Sequence, residues 1–134
     1  MGNMSDPKHW YELANAPVAG TILGHLNDIA DGQVHMVSTP QTFKVLLLRS
    51  ADSVHAFVNR CAHFGVPLAA RQEQLMFKPH QSITCNVHYA RFRWTDGACE
   101  SGECDGVGLL PIPVKCDAGG NIRIASTTEE APRS

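Results

Sequence analysis

Phe43-Lys44-Val45-Leu46-Leu47-Leu48-Arg49-Ser50-Ala51-Asp52-Ser53-Val54-His55-Ala56-Phe57-Val58 holds two short apolar runs, Phe43 to Arg49 and Val54 to Val58, joined by Ser50-Ala51-Asp52-Ser53. Each run has strand length, and the polar joint between them reads as a hairpin turn. Outward from this hairpin the pattern repeats. Val34 to Val37 follows Asp31-Gly32, and Ala90 to Thr95 ends at Asp96-Gly97. Pro113 to Cys116 meets Ile122 to Ile124 across Asp117-Ala118-Gly119-Gly120-Asn121. Short runs at such close spacing, with no long amphipathic helix, predict an all-β antiparallel sandwich or small barrel. The alternation lapses from Arg60 to Ser82 and again from Cys99 to Pro111, which predicts two irregular excursions. Within the first, Leu75-Met76-Phe77 reads as a packed strand rather than an exposed partner contact. The polar end, residues 126 to 134, predicts a frayed tail.

The chain has 134 residues, which suits one domain with at most a small inserted lobe. Apolar residues make up 43% and charged residues 18%, enough for a packed core. Eleven Lys plus Arg against thirteen Asp plus Glu give a formal charge of -2, which argues against nucleic acid as a partner. No apolar run approaches the roughly 20 residues of a membrane-spanning helix. Residues 1 to 11 show no signal-peptide pattern, and Asp6 stands where a myristoylation signal wants Ser or Thr. A cytoplasmic location is the expectation.

Five cysteines, Cys61, Cys85, Cys99, Cys104 and Cys116, are an odd number without an export signal, which points to metal or redox chemistry rather than a disulfide framework. Cys61-Ala62-His63 and Cys85-Asn86-Val87-His88 place two thiols and two imidazoles in two short clusters. A lone Cys or His is commonly a core or surface residue, but two such pairs in the same order imply four metal ligands. A Cys2His2 set can hold structural zinc, or a two-iron cluster with both thiolates on one iron and both imidazoles on the other. Common zinc sites pair Cys with Cys and His with His, whereas here each cluster supplies one of each. Cys99 and Cys104, in an acidic stretch, are expected as free thiols in a reducing compartment, and Cys116 as a core residue. Asp96, Glu100, Glu103 and Asp105 read as a solvated loop rather than a docking patch.

Cys61-Ala62-His63-Phe64-Gly65-Val66-Pro67-Leu68 and Cys85 to His88 resemble the CxHxGxxL and CxxH boxes of the Rieske family. Leu26 to Gly32 is similar to the family's opening turn, and Leu110-Pro111-Ile112-Pro113-Val114 to its proline-containing segment over the cluster. The likeness covers roughly residues 22 to 125. Ala62, Asn86 and Tyr89 depart from the residues frequent in the family, and the gap between boxes is longer than the commonest one, yet all four ligands are kept. The resemblance implies a Rieske-like fold in one domain, with a core of about 22–125 and an inserted cluster-binding subdomain of about 59–95. It also implies one 2Fe-2S cluster held by Cys61, His63, Cys85 and His88.

Two neutral imidazoles in place of thiolates make the cluster less negative and easier to reduce, which places Rieske potentials between about -150 and +300 mV against about -400 mV for plant-type ferredoxins. High-potential members carry a Ser two and a Tyr four positions past the last His, and here those positions are Ala90 and Phe92. Without these hydroxyls, and without the extra cysteine pair of the respiratory type, the resemblance implies a low-potential ferredoxin. Such a protein passes one electron from a flavin-dependent ferredoxin reductase to a terminal oxygenase of the ring-hydroxylating kind and is not itself an enzyme. The alternatives are a small Rieske-like subunit of a nitrite-reductase-like complex and a zinc-stabilised interaction domain.

Overall fold

The computed structural model describes residues 10–13, 15–60, 68, 71–85, 90–101 and 108–125. The expected tail and most of both Cys/His boxes lie outside them. Among the described residues eleven strands run in chain order: β1 Ile22–His25, β2 Val34–Ser38, β3 Lys44–Ser50, β4 Ser53–Val58, β5 Met76–Lys78, β6 Ser82–Thr84, β7 Arg91–Arg93, β8 Cys99–Ser101, β9 Pro111–Ile112, β10 Val114–Cys116 and β11 Asn121–Ile124. The helical elements among the described residues are single 3-10 turns at Trp10–Glu12, Leu26–Asp28 and Gln72–Gln74. No helix there is long and apolar enough to cross a membrane. The fold is all-β and antiparallel, as the hairpin pattern predicts.

Three sheets form, ordered β1-β11-β10, β2-β3-β4-β9 and β5-β6-β7-β8. The expected hairpin is present, with Val45 opposite Val58 and Ser50 opposite Ser53, so the turn itself is Ala51-Asp52. Ala51 adopts φ +54°, the left-handed region that costs an alanine energy. Its amide donates to Asp31 Oδ1 at 2.8 Å and its carbonyl accepts from Arg49 Nε at 2.6 Å, which hold it there.

Why Val45 to Leu48 are apolar without alternation follows from the layering. Val45 and Leu47 belong to one core with Leu23, Ile122 and Ile124, while Leu46 and Leu48 belong to another with Ile83, Phe92 and Trp94. The β2-β3-β4-β9 sheet is therefore the middle layer, and β3 is covered on both faces. Each of these four side chains is 0% exposed, worth about 1.5 to 3 kcal/mol apiece for a fully buried Val or Leu. The third sheet is entirely inserted between β4 and β9 in the chain. It is pinned to the middle layer by Trp94, whose Nε1 donates to Ser50 Oγ at 2.8 Å, with His80 Nδ1 2.8 Å from the same oxygen.

Several expectations change. The stretch from Cys99 to Pro111 is not wholly irregular, because Cys99–Ser101 pairs with β7 across a register shift between Arg91 and Phe92. That shift breaks the alternation by which a strand is read from sequence. Cys116 is exposed and free rather than in the core, since β10 is an edge strand turned partly to solvent. Burial and the neighbouring Asp117 carboxylate still push its thiol upward. Leu75 and Phe77 pack against the Phe92 core, and Met76–Lys78 is a strand, as expected of this segment.

The inter-box segment is fastened by a side chain whose importance no periodicity signals. Gln72 Nε2 donates to Val34 O at 2.6 Å and Gln72 Oε1 accepts from Met36 N at 2.8 Å, so the amide pairs with the open edge of β2 as a strand backbone would. Gln72→Ala should lower stability by about 1 to 3 kcal/mol, the cost of two lost bonds with partly buried partners, read from urea unfolding midpoints.

The β10-β11 turn is organised by Asp117. Its Oδ1 accepts from Gly119 N at 2.9 Å and Asn121 N at 3.0 Å, and its Oδ2 accepts from Arg123 Nε at 2.8 Å. The Arg123 bond foremost, and then the Asn121 backbone, hold this carboxyl well below the usual carboxylate range. A depressed folded pKa means that the ionised form stabilises the fold above the unfolded value of about 3.9 and that this is lost as pH falls further. Asp117→Asn should therefore lower Tm near pH 6 and differ progressively less from the parent as pH approaches 3, by thermal denaturation.

Candidate metal centre

Both boxes grow from strand ends that the inserted sheet and the middle sheet bring into one core. The second box lies in the sequence between β6 and β7, which pair antiparallel. Ser82, Ile83 and Thr84 face Arg93, Phe92 and Arg91, and the next pair is closed by Cys85 N donating to Ala90 O at 2.8 Å. Residues 86–89 lie between those closing residues. The first box follows β4, where Asn59 N donates to Lys44 O at 3.0 Å and continues the β3-β4 pairing. Its base is closed by a side chain, because Leu68 N donates to Asn59 Oδ1 at 2.9 Å across nine positions of chain.

Leu68, Cys85, Ala90 and Phe92 are all 0% exposed and share one core cluster. The closing residue of the first box and both closing residues of the second are thus packed together, although they are distant in sequence. Of the four predicted ligands, Cys85 is placed by the structure, buried and not disulfide-bonded. Cys61, His63 and His88 fall outside the described residues, and among the described residues no three metal-ligating side chains gather elsewhere. A buried free thiol at the end of β6 suits a soft metal: a thiolate held there has a cation as its natural partner, and solvent is excluded around it. The described part of the site fits a thiolate-bound iron cluster.

Ala90 and Phe92, aligned by the family resemblance with the hydroxyl-bearing positions of high-potential members, are both apolar and buried. Around them the charge is locally balanced. Arg91 Nε lies 3.1 Å from Glu100 Oε1, and Arg93 forms a two-pronged pair with Asp96. Hydrogen bonding from Arg93, then from the Ala98 amide, lowers the Asp96 carboxyl to about 2. The acidic stretch is thus partly neutralised by β7, while Glu103 and Asp105 lie outside the described residues. Cys99 is disulfide-bonded, which corrects the expectation of a free thiol, and its partner lies outside the described residues. A disulfide needs two Cα atoms within about 7 Å, a proximity that spacing in the sequence does not reveal.

Asn59 was not among the candidate residues, and Gln72 was not either. The available signal was slight: Asn59 is a polar residue directly after the apolar run Ala56-Phe57-Val58, yet it is only 4% exposed.

The comparisons with known proteins agree with this geometry. A family model described as Rieske [2Fe-2S] domain matches residues 20–113. Among solved structures, the ferredoxin of carbazole 1,9a-dioxygenase from Nocardioides aromaticivorans IC177 superposes with a TM-score of 0.65 at 23% identity, over 81% of this chain and 99% of that one. The terminal oxygenase of carbazole 1,9a-dioxygenase from Novosphingobium sp. KA1 also gives 0.65 at 23% identity, over 81% of this chain but 30% of that one. A complex of reduced oxygenase and oxidized ferredoxin in carbazole 1,9a-dioxygenase gives 0.65 at 18% identity, over 82% of this chain and 96% of that one. No curated protein matches the chain.

Proposed function

The chain belongs to the Rieske [2Fe-2S] domain family, and on that premise we propose that it is a one-electron carrier that takes an electron from a flavin-dependent ferredoxin reductase and delivers it to a terminal oxygenase. The observation that carries this reading is the convergence of the two box closures, Asn59–Leu68 and Cys85–Ala90, on one buried core that holds a free thiol. In this reading Cys61 and Cys85 hold one iron, and His63 and His88 hold the other. A bound Rieske cluster supplies a one-electron couple with a potential above that of all-thiolate clusters.

The chain's own residues set how that couple is used. Leu68, Ala90 and Phe92 exclude water from the Cys85 side, so charge added there is felt strongly in a low-dielectric surround. Support for the ferredoxin role over a substrate-transforming one comes from the ferredoxin of carbazole 1,9a-dioxygenase, which this chain spans almost end to end, whereas it spans 30% of the terminal oxygenase. A direct test is to reduce the protein chemically, mix it without oxygen with an oxidised terminal oxygenase of the ring-hydroxylating kind, and follow both visible spectra. One electron per chain should pass to the oxygenase. A reduced protein that fails to donate to any such oxygenase while donating to a different acceptor class would overturn the assignment.

A further inference from the structure

Three turns from different parts of the chain meet at one end of the middle sheet. They are Asp31-Gly32 before β2, Ser50-Ala51 between β3 and β4, and Pro79-His80 between β5 and β6. Their meeting sets His80 Nε2 3.6 Å from Asp31 Oδ1, and the two side chains are 47% and 60% exposed, so water and ions reach both. That separation is too long for a hydrogen bond. It is close to the roughly 3.4 Å that a tetrahedral zinc ion imposes on a nitrogen at about 2.0–2.1 Å and an oxygen at about 2.0–2.2 Å, whereas right-angled coordination would draw the atoms to roughly 2.9 Å.

Both side chains are oriented from behind. Ala51 N donates to Asp31 Oδ1 at 2.8 Å, and Ser50 Oγ lies 2.8 Å from His80 Nδ1. Ser50 Oγ accepts from Trp94 Nε1 at 2.8 Å, and its second lone pair can accept an Nδ1–H, the tautomer that leaves the Nε2 lone pair open. An imidazole fixed through one nitrogen and open at the other is the arrangement of metal-ligating histidines. Gly32 supplies the room, since a Cβ there would stand 3.2 Å from Nε2 and 3.1 Å from Pro79 Cβ, across the approach to that nitrogen.

We propose that Asp31 and His80 form a second metal site, made of none of the residues of the two Cys/His boxes, that takes one zinc ion with water completing its tetrahedron. Two protein ligands make it an open and weak site. When occupied it links the turn before β2 to the inserted sheet, and an ion that binds the folded chain alone stabilises it. The proposal does not rest on the cluster reading.

The test uses the whole protein with its Cys/His centre as isolated and zinc chloride as the probe. Two readouts apply, thermal denaturation and Trp emission, because the His80 and Trp94 rings are 5.8 Å apart. Zinc should raise Tm and change the emission over the same saturable range. His80→Asn should abolish both responses. His80 has φ +66°, and Asn tolerates that region well, so the turn is kept. Asp31→Asn keeps an acceptor for Ala51 N and should weaken zinc binding by at least the order of tenfold that losing even an outer partner costs. A parent without a saturable response overturns the inference and leaves a plain surface ion pair. A His80→Asn protein that responds like the parent, or an Asp31→Asn protein with parent affinity, overturns it too. Iron analysis of the same samples guards against the other site: a response that comes with loss of iron is zinc entering the Cys/His centre and counts against the second site.

Discussion

Cys85→Ala is expected to give a colourless protein with no bound iron, where the parent is red-brown and carries about two irons and two labile sulfides per chain. The thiol is 0% exposed and free, so its loss removes the proposed ligand, and among the described residues no other cluster of metal-ligating side chains stands ready to replace it. The effect should exceed the removal of a small buried side chain. A metal site that assembles only in the folded chain adds its binding free energy to folding, and its removal subtracts that contribution. The variant should therefore unfold at a lower temperature than the parent, and the gap should close when the parent is stripped of metal. Iron and sulfide analysis with thermal denaturation of both proteins provides the check. One zinc per parent chain, with no colour, would return the site to a structural zinc reading.

Phe92→Tyr should raise the reduction potential from a parent value on the order of -150 to -50 mV, low in the Rieske range. Phe92 is fully buried on β7, opposite Ile83 on β6, and belongs to the same core cluster as Cys85. A hydroxyl added to that ring has little water to bond, which favours donation to a thiolate or sulfide if the ring points to it. A charge-assisted bond is worth about 1.5 to 3 kcal/mol, and 1.4 kcal/mol corresponds to about 59 mV for one electron. The expected rise is then about 60 to 130 mV, read by redox titration of the visible spectrum. No change in midpoint alongside a lowered Tm would mean that the hydroxyl is buried without a partner and that Phe92 does not face the centre.

The disulfide at Cys99 bears on how this second experiment is performed. Cys99 faces Phe92 across the β7-β8 pair, so its oxidation state affects the strand that carries the substituted ring. Titrations with a non-thiol reductant keep that pair intact and compare like with like.

Local pattern was sufficient for the hairpin of β3 and β4 and for the β10-β11 turn around Asp117. Both depend on residues close in sequence, whose apolar spacing and turn chemistry act through local backbone preference. The two boxes were legible for the same reason, since metal ligation constrains residue type at short fixed intervals. Other features needed the folded chain. That Val45 to Leu48 face two different cores, that Cys116 lies on an edge, and that Cys99–Ser101 closes the third sheet all depend on which sheet covers which. Asn59 and Gln72 show the limit most directly: a carboxamide in a sequence is a polar residue like any other. Only the approach of Leu68 to the one and of the β2 edge to the other, both set by long-range packing, turns it into a clamp.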